Sequence, residues 1–536
     1  MALGCCANVN AIDDILIVGG GTAGWLTAAF LAKHLDAASP DGVRITLIES
    51  KDLGTIGVGE GTFPTLPRTL ASLGVSEARF MRESAATFKQ GIKFVDWVHG
   101  SRGEAHDYYY HPFALPRQEG GFDLLPYWLM GEAGEGVSLA NAVTLQERVC
   151  EAGRAPKRTT DDAFRGPMSY AYHLDVARFG VFLSSVAKEL GVAHLIGTVE
   201  HVQLDETGAI AGVQTREHGV LRAGLYIDCT GFRGELIGKA LGVPFKSKND
   251  VLFVDRAVAI QVPYVHGTEP IPSYTIATAH EAGWTWDIAL YRRRGVGYVY
   301  SSSHTDDARA EQVLRAYVGP AYDDIAVRQL ELQIGWRERH WVKNCVAVGL
   351  SGGFLEPLES TGMILIEAAA HLLASFFPRG GAFEAAASQF NELMTRRYER
   401  IVDFIKLHYV LSRREEAFWR DNADPSTIPE SLGAHLEMWR HRPPTRFDFV
   451  MDYETFALAN YEFVLYGMGF RTELHAASAR YPHAMRARHE FSRVRQAAER
   501  AVTALPPHRD LLEHVYRSEF EFAERAAPPM PSMLVR

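Results

Sequence analysis

One lysine and one glutamate of this chain stand in settings that favour acid–base or group-transfer chemistry. Lys89 is flanked by Phe88 and Ile92, and partial removal from water would lower the pKa of its amine and make it reactive. Composition alone favours a solvated surface lysine instead. Glu359 directly precedes an apolar, helix-forming run, where the helix dipole favours a carboxylate that can accept a proton or orient a donor. The alternative is an acid that only stabilises the start of the helix.

A glycine-rich turn after the first apolar run predicts a dinucleotide site. Residues 19–24 have the spacing Gly-x-Gly-x-x-Gly between a predicted strand and a predicted helix. In such turns the glycines allow a tight bend, close approach to a pyrophosphate, and packing of helix on strand, while free N–H groups favour the anion. The next predicted strand ends in an acid that can accept hydrogen bonds from ribose hydroxyls. A purely structural turn is the alternative. The predicted cofactor contacts here are Gly19, Gly21, Thr22, Ala23, Gly24 and Glu49.

Trp284 and Trp286 are two residues apart, so both indoles lie on one side of an extended segment. Rigid, apolar rings in that arrangement can wall off a flat cofactor. Two turns could add cofactor contacts. Residues 56–62 contain three glycines, which indicate backbone close to a flat or anionic group, with a flexible loop as the alternative. Asp228 ends a predicted strand and begins the turn at residues 228–234, which taken alone favours a generic β-turn.

The order of predicted elements indicates an α/β fold with a Rossmann-like domain. A strand over residues 15–18, a helix over 22–34 and a strand over 44–49 form a βαβ unit. From about residue 382 the pattern is mainly helical. Further strands are predicted near residue 199 and over 225–228, 258–262, 296–300 and 344–349, followed by a helix over 361–377.

The composition is ordinary for a globular enzyme: 47% of the 536 residues are hydrophobic and 22% are charged. The net charge of −10, from 55 basic and 65 acidic residues, argues against a nucleic-acid partner. Five cysteines show neither a paired framework nor metal-ligand spacing, which predicts a cytoplasmic protein without a metal site. Residues 1–11 lack the features of a signal peptide. No apolar run reaches the roughly 18 residues of a membrane span, so no membrane partner is expected.

The segment Gly-Trp-Thr-Trp-Asp-Ile at residues 283–288 resembles a signature of the flavin-dependent halogenases of the tryptophan halogenase family. Ala289 stands where that signature has proline. The resemblance runs from about residue 12 to residue 377. It is carried by residues 56–62, 87–94, 111–113, 228–234, 283–288 and 353–362. At Gly61 the family commonly has alanine.

This resemblance implies a role for each segment. Lys89 is the essential lysine, Lys93 a second and non-essential one, and Glu359 the essential glutamate. Backbone amides of Thr361 and Gly362 hold the halide. Trp284 and Trp286 line a tunnel between flavin and substrate, and the substrate ring packs against His111, Phe113 and Phe456. Besides the residues of the glycine turn and Glu49, the implied cofactor contacts are Ile56, Gly57, Val58, Asp228, Gly349 and Ile364.

The implied reaction is the halogenation, with chloride or bromide, of an electron-rich aromatic molecule such as an indole or indole derivative. It uses reduced FAD and O₂ to form hypohalous acid, which moves to Lys89 and is held there by a hydrogen bond or as a haloamine. No second nucleotide fold for NADH is evident, so a separate flavin reductase is expected to supply reduced FAD. The residues alone also allow a flavin-dependent aromatic monooxygenase or a non-catalytic flavin-binding protein.

The resemblance becomes diffuse in the C-terminal part. The enzymes that act on free tryptophan carry a tyrosine pair, a glutamate and a tryptophan in the segment that closes over the amino acid. Residues 451–459 lack the tyrosine pair, and Phe456 stands in the place of the tryptophan. The expected organisation is a leader over residues 1–11, an FAD-binding halogenase core over 12–377 with an insertion at about 100–165, and a mainly helical substrate-side region over 378–536.

Overall fold

The structure is a computed structural model that describes residues 12–51, 59–100, 106–117, 119–378, 383–450, 454–474 and 478–524. The strands are β1 Asp14–Val18, β2 Arg44–Glu49, β3 Gly59–Gly61, β4 Thr87–Lys89, β5 Gly91–Val95, β6 Tyr108–Pro112, β7 Ala171–Asp175, β8 Ala193–Ile196, β9 Val199–Leu204, β10 Ile210–Thr215, β11 Gly219–Leu221, β12 Leu225–Asp228, β13 Phe245–Ser247, β14 Arg256–Pro263, β15 Thr275–His280, β16 Gly283–Ala289, β17 Arg293–Tyr300, β18 Arg328–Glu331, β19 Gly335–Arg337, β20 Trp341–Val342, β21 Cys345–Ala347 and β22 Gly353–Phe354.

The α-helices are α1 Thr22–His34, α2 Leu66–Leu73, α3 Glu77–Glu83, α4 Leu125–Leu129, α5 Leu139–Val143, α6 Gln146–Glu151, α7 Val176–Glu189, α8 Asp307–Val318, α9 Thr361–Ser375, α10 Phe383–Val410, α11 Ala417–Asn422, α12 Glu430–His441, α13 Leu458–Gly467, α14 Ala484–Ala504 and α15 His508–Val515.

The nucleotide-binding half is a six-stranded sheet in the order β20-β21-β12-β1-β2-β8. β1 pairs in parallel with both β2 and β12, as expected for a strand buried on both faces. The predicted βαβ unit is confirmed as β1, α1 and β2. Gly24 lets α1 pack closely on this sheet, because a Cβ at that position would lie 1.9 Å from the carbonyl oxygen of Gly19.

The second large sheet has seven strands in the order β18-β14-β17-β16-β15-β5-β6. β16, which carries the two tryptophans, lies in its middle and pairs with β15 and β17. The edge strand β6 comes from the predicted insertion and pairs with β5, which places His111 opposite Ile92. Part of the predicted insertion is thus a strand of the sheet that carries the candidate site.

The region after α9 is mainly helical, as predicted, and its longest helix is α10 with 28 residues. Most buried residues of α10 are apolar or aromatic, although Asp403, Lys406 and His408 are also buried, and the helix packs against α13 and α9. Among the described residues, no helix is both long enough and apolar enough to cross a membrane. The division into a core and a substrate-side region stays a prediction.

Candidate active site

A cavity of about 1320 Å³ extends from the glycine turn to the start of α9. Its volume exceeds the roughly 300–1,000 Å³ of sites for drug-sized ligands, so an extended dinucleotide is a suitable occupant. The cavity wall combines both sheets with the segment that precedes α9. Its lining includes the predicted cofactor residues Gly19, Gly21, Thr22, Ala23, Glu49 and Gly349.

The glycine turn has the clearances that a pyrophosphate requires. A Cβ on Gly21 would meet no protein atom within 4 Å, so the missing side chain leaves space for a ligand rather than for a neighbouring residue. Gly19 has a φ of +115°, a conformation that side chains disfavour. Glu49 lies in the cavity wall at the end of β2, with Oε1 2.9 Å from His194 Nε2. These residues fit the phosphates and ribose of FAD.

Three predicted cofactor residues do not line the cavity: Gly24, Asp228 and Ile364. The Asp228 carboxylate is fully buried and accepts hydrogen bonds from the backbone N–H groups of Thr230, Leu236 and Ile237. It therefore orders the turn after β12, whose residues 229–233 do line the cavity. Ile364 is buried within α9, while the adjacent Met363 lines the cavity. The predicted contacts Ile56, Gly57 and Val58 lie outside the described residues.

Both tryptophans of β16 line the cavity, together with Ile288 from the same side of the strand. Their ring centroids are 6.5 Å apart. The Trp284 indole N–H donates to the hydroxyl of Tyr409 (3.1 Å), which donates to the Glu356 carboxyl group (2.7 Å). These two hydrogen bonds hold the ring of Trp284 in place. The sequence did not predict either Tyr409 or Glu356 as its partner.

Lys89 is fully buried at the end of β4, so the alternative of a surface lysine is wrong. Its ammonium donates to Ser360 Oγ at 2.8 Å and lies 5.2 Å from the centre of the Phe113 ring. Burial lowers the pKa of Lys89 to about 8, and the carboxylates of Glu359 and Glu60 partly oppose this shift. Ser360 lines the cavity. One side chain therefore links the cavity wall to the amine.

Glu359 is also fully buried, and two histidines hold its carboxylate. His111 Nδ1 lies 2.8 Å from both carboxylate oxygens, and His408 Nε2 lies 3.3 Å from Oε1. Burial alone would raise the pKa of Glu359, but His111 and His408 together lower it below its usual value. Asn460 Nδ2 donates to His111 Nε2 (2.8 Å), which leaves Nδ1–H as the donor to Glu359. Tyr109 OH lies 2.7 Å from His408 Nδ1, and this contact holds the ring of His408 in position.

The backbone at Glu359 and Ser360 is strained. Their φ angles are +63° and +58°, in the left-handed region that non-glycine residues rarely adopt, at a cost of about 1–3 kcal/mol each. This bend ends at Thr361, where α9 begins and its first N–H groups lack helical acceptors. Gly362 lines the cavity, and the buried Thr361 Oγ1 has no hydrogen-bond partner in the described structure. The site can therefore hold an anion.

The predicted substrate-ring residues lie around one further aromatic side chain, Phe63. Its ring centroid is 5.8 Å from that of Phe113 and 5.6 Å from that of Phe456. The centroids of Phe456 and His111 are 6.4 Å apart, and Phe456 stacks on Phe404 at 3.9 Å. The structure thus brings the three predicted residues into one aromatic cluster. Sequence reasoning missed Phe63, although it follows the glycine-rich segment at residues 56–62 by one residue.

Comparison with known proteins agrees with this geometry. A family profile described as "Tryptophan halogenase" matches residues 14–483. The tryptophan 6-halogenase SttH of Streptomyces toxytricini is 36% identical over 519 residues, which cover 93% of this chain and 97% of SttH.

Two solved structures match nearly the whole chain. The tryptophan halogenase of Shewanella frigidimarina NCIMB 400 superposes with a TM-score of 0.91 at 40% identity, over 96% of this chain and 99% of that one. Tar14, a tryptophan C-6 flavin-dependent halogenase from taromycin biosynthesis, gives a TM-score of 0.88 at 36% identity, over 94% and 100%. The chain under study therefore belongs to the tryptophan halogenase family and is a flavin-dependent halogenase.

Proposed function

We propose that this enzyme uses reduced FAD and O₂ to attach chloride or bromide to an indole or indole derivative, with Lys89 receiving the hypohalous acid. The observation that carries this proposal is the position of the Lys89 amine. It is fully buried and bonded to Ser360, which itself lines the cavity. A small electrophile leaving the cavity beside Ser360 meets the amine before it meets bulk water.

The glycine turn, Glu49 and Gly349 would hold FAD along the cavity, with the flavin end toward Trp284 and Trp286. When bound, reduced FAD supplies the two electrons with which O₂ and halide are converted into hypohalous acid and water. A separate flavin reductase would provide the reduced cofactor. The two tryptophans, whose side chains line the cavity, would keep the aromatic substrate away from the flavin.

The halide would bind at the backbone N–H groups of Thr361 and Gly362. The helix dipole and the N–H groups without acceptors both favour an anion there. Lys89, on the other side of Ser360, then holds the hypohalous acid by a hydrogen bond or as a haloamine. Both forms keep the halogen in a buried position from which water is excluded.

Glu359 completes the reaction at the ring. Attack of a ring carbon on the electrophilic halogen gives a cationic ring, which must lose the proton of the substituted carbon. The net change is aromatic C–H plus hypohalous acid to aromatic C–halogen plus water. Because His111 and His408 keep Glu359 ionised, it can accept that proton and stabilise the cationic ring, a contribution of about 10²–10⁴-fold in rate.

We further propose that uncharged indoles are better substrates than free tryptophan. The aromatic cluster of His111, Phe113 and Phe456 offers ring contacts, whereas burying an amino acid's charges without partners costs several kcal/mol. In residues 454–460 the one acidic side chain is Glu454, and its carboxyl group already faces Arg400 at 3.9 Å. Residues 451–453 lie outside the described structure.

Purified enzyme with a flavin reductase, NADH, FAD and bromide tests this substrate preference. Indole and tryptophan are offered separately and in competition, and the brominated products are quantified by mass spectrometry. We expect a higher kcat/KM for indole. A higher kcat/KM for tryptophan would refute the preference and leave the halogenase reaction itself intact.

A further inference from the structure

A carboxyl group that the proposed reaction does not use lies beside the start of α9. Glu60 is the middle residue of β3, where it pairs with Leu174 of β7, and it lines the cavity. Its Oε1 atom lies 3.2 Å from the position that a Cβ on Gly362 would occupy. The carboxyl group therefore borders the same backbone that is proposed to hold the halide.

Two anions at this place would oppose each other. Glu60 is only partly exposed and forms part of the cavity wall, so water screens a charge on it from a neighbouring halide less than it would at the protein surface. Thr361 Oγ1, which is buried and has no hydrogen-bond partner among the described residues, is a second polar group near this backbone, and it can donate its proton to an anion. A neutral Glu60 would likewise present an O–H group to the halide, whereas an ionised Glu60 presents only negative charge.

We propose that Glu60 must carry a proton for halide to bind at Thr361 and Gly362, so that each halide enters the site together with one proton. This inference rests on the proposed function. The overall chemistry consumes that proton, because halide, O₂, reduced FAD and one proton give hypohalous acid, water and oxidised FAD. Glu60 would thus store the proton next to the ion with which it is consumed.

The charges around Glu60 agree with such a role. Burial raises the pKa of Glu60 to about 7, and the nearby ammonium of Lys89 opposes this rise. On β7, burial holds the pKa of His173 well below its usual value, so that this residue stays neutral, and Asp175 is paired with Arg293 at 2.6 Å. Glu359 is held by its two histidines. Lys89, with a pKa of about 8, titrates close to the range of Glu60.

The sign of the pH effect follows from these shifts. Glu60 is neutral below about pH 7 and ionised above it, so halide affinity falls as the pH rises through that value. For one titrating group the bromide dissociation constant should rise about tenfold between pH ~6 and ~8. Lys89 has lost about half of its charge at the upper end of this window, which also weakens anion binding, and the Glu60→Gln variant separates the two contributions.

The test measures bromide binding to the FAD-loaded, oxidised enzyme at constant ionic strength, from the change in flavin absorbance and from bromide NMR line broadening. Wild type should show the tenfold change, while Glu60→Gln should bind bromide at pH ~8 within about threefold of its affinity at pH ~6. Glu367→Gln is a matched control, because burial also raises the pKa of Glu367 to about 7. Its carboxylate accepts hydrogen bonds from Thr65 and Thr69, and it does not line the cavity. This variant should behave as wild type.

Lys89→Met gives an independent readout. The ammonium of Lys89 lowers the pKa of Glu60. Its removal should therefore raise that pKa, so the pH at which bromide affinity falls should also increase. Two results would overturn the inference about Glu60 but leave the proposed halide site intact. One is the same pH dependence in Glu60→Gln as in wild type, and the other is bromide binding by wild type that does not depend on pH. If wild type binds no bromide at any pH, the proposed halide site fails as well.

Discussion

Replacing Lys89 with methionine should abolish halogenation while FAD binding persists. Methionine fills the buried space of the lysine stem but cannot donate to Ser360 or carry a halogen. Lys89 is not part of the cavity lining, whereas the glycine turn and Glu49 are, so the cofactor site is left unchanged. The expected phenotype is therefore a loss of product without a loss of cofactor.

The size of the loss can be worked from the contacts of the amine. A hydrogen bond from a charged group is worth about 1.5–3 kcal/mol. Holding the electrophile in a fixed position instead of letting it diffuse is worth about 3–4 kcal/mol more, well within the ~7–11 kcal/mol that positioning can supply. Together they predict a fall in turnover of about 10³–10⁵-fold, at ~1.4 kcal/mol for each tenfold change.

The assay follows brominated indole by mass spectrometry, FAD binding by absorbance, and free hypobromous acid by a chemical trap added to the reaction. Lys89→Met should consume NADH and release trapped hypobromous acid without brominating indole. Lys93→Met is the matched control, because Lys93 is paired with Glu151 at 2.8 Å and is 18% exposed. It should keep nearly wild-type activity. Bromination by Lys89→Met at near the wild-type rate would refute the proposed role of the amine.

Three other variants test neighbouring parts of the site. Glu359→Gln should slow halogenation by about 10²–10⁴-fold through loss of the proton acceptor, and a loss below about tenfold would reassign Glu359 to the helix start. Gly21→Val should abolish FAD binding in a titration yet keep the melting temperature of the FAD-free protein, since a Cβ there meets no protein atom within 4 Å; retained micromolar affinity would exclude the turn as the phosphate site. Gly61→Ala would place a Cβ 2.8 Å from Lys89 Nζ and 2.7 Å from Ser360 Oγ. It should lower kcat by roughly tenfold, about 1.4 kcal/mol, and an unchanged kcat would mean that the spacing of this pair is not critical.

The sequence predicted the nucleotide-binding elements well because their signals are local. The helix α1 and the strands β2 and β12 have the predicted bounds, and β1 begins one residue earlier than expected. Each combines an apolar run with a turn or an acid at its end, which neighbouring residues alone can specify. The prediction of a mainly helical C-terminal region is also confirmed, because it too rests on local patterns.

The contacts around Glu359 could not be predicted, because they join residues that are far apart in the chain. His408 comes from α10 and Tyr109 from β6, 299 residues earlier, while Asn460 comes from α13. No local pattern distinguishes these polar residues from others in buried helices and strands. Only the packing of α10 and α13 against β6 brings them to Glu359.

Local patterns also could not predict which way a side chain points. Asp228 ends its strand as predicted, but its carboxylate turns back toward the N–H groups of residues 230–237 instead of toward the cavity. Lys89 shows the opposite case. Its apolar neighbours allowed partial burial, composition alone favoured a surface position, and the pairing of β4 with β7 buries the side chain completely.

The central claim is that this chain halogenates an indole with reduced FAD, O₂ and halide. The most direct test incubates the purified enzyme with FAD, NADH, a flavin reductase, bromide or chloride, and indole, and examines the product by mass spectrometry. We expect a product with one hydrogen replaced by halogen, which disappears when the reductase or the halide is omitted. Hydroxylated indole without halogen, or NADH oxidation by the enzyme in the absence of the reductase, would contradict it.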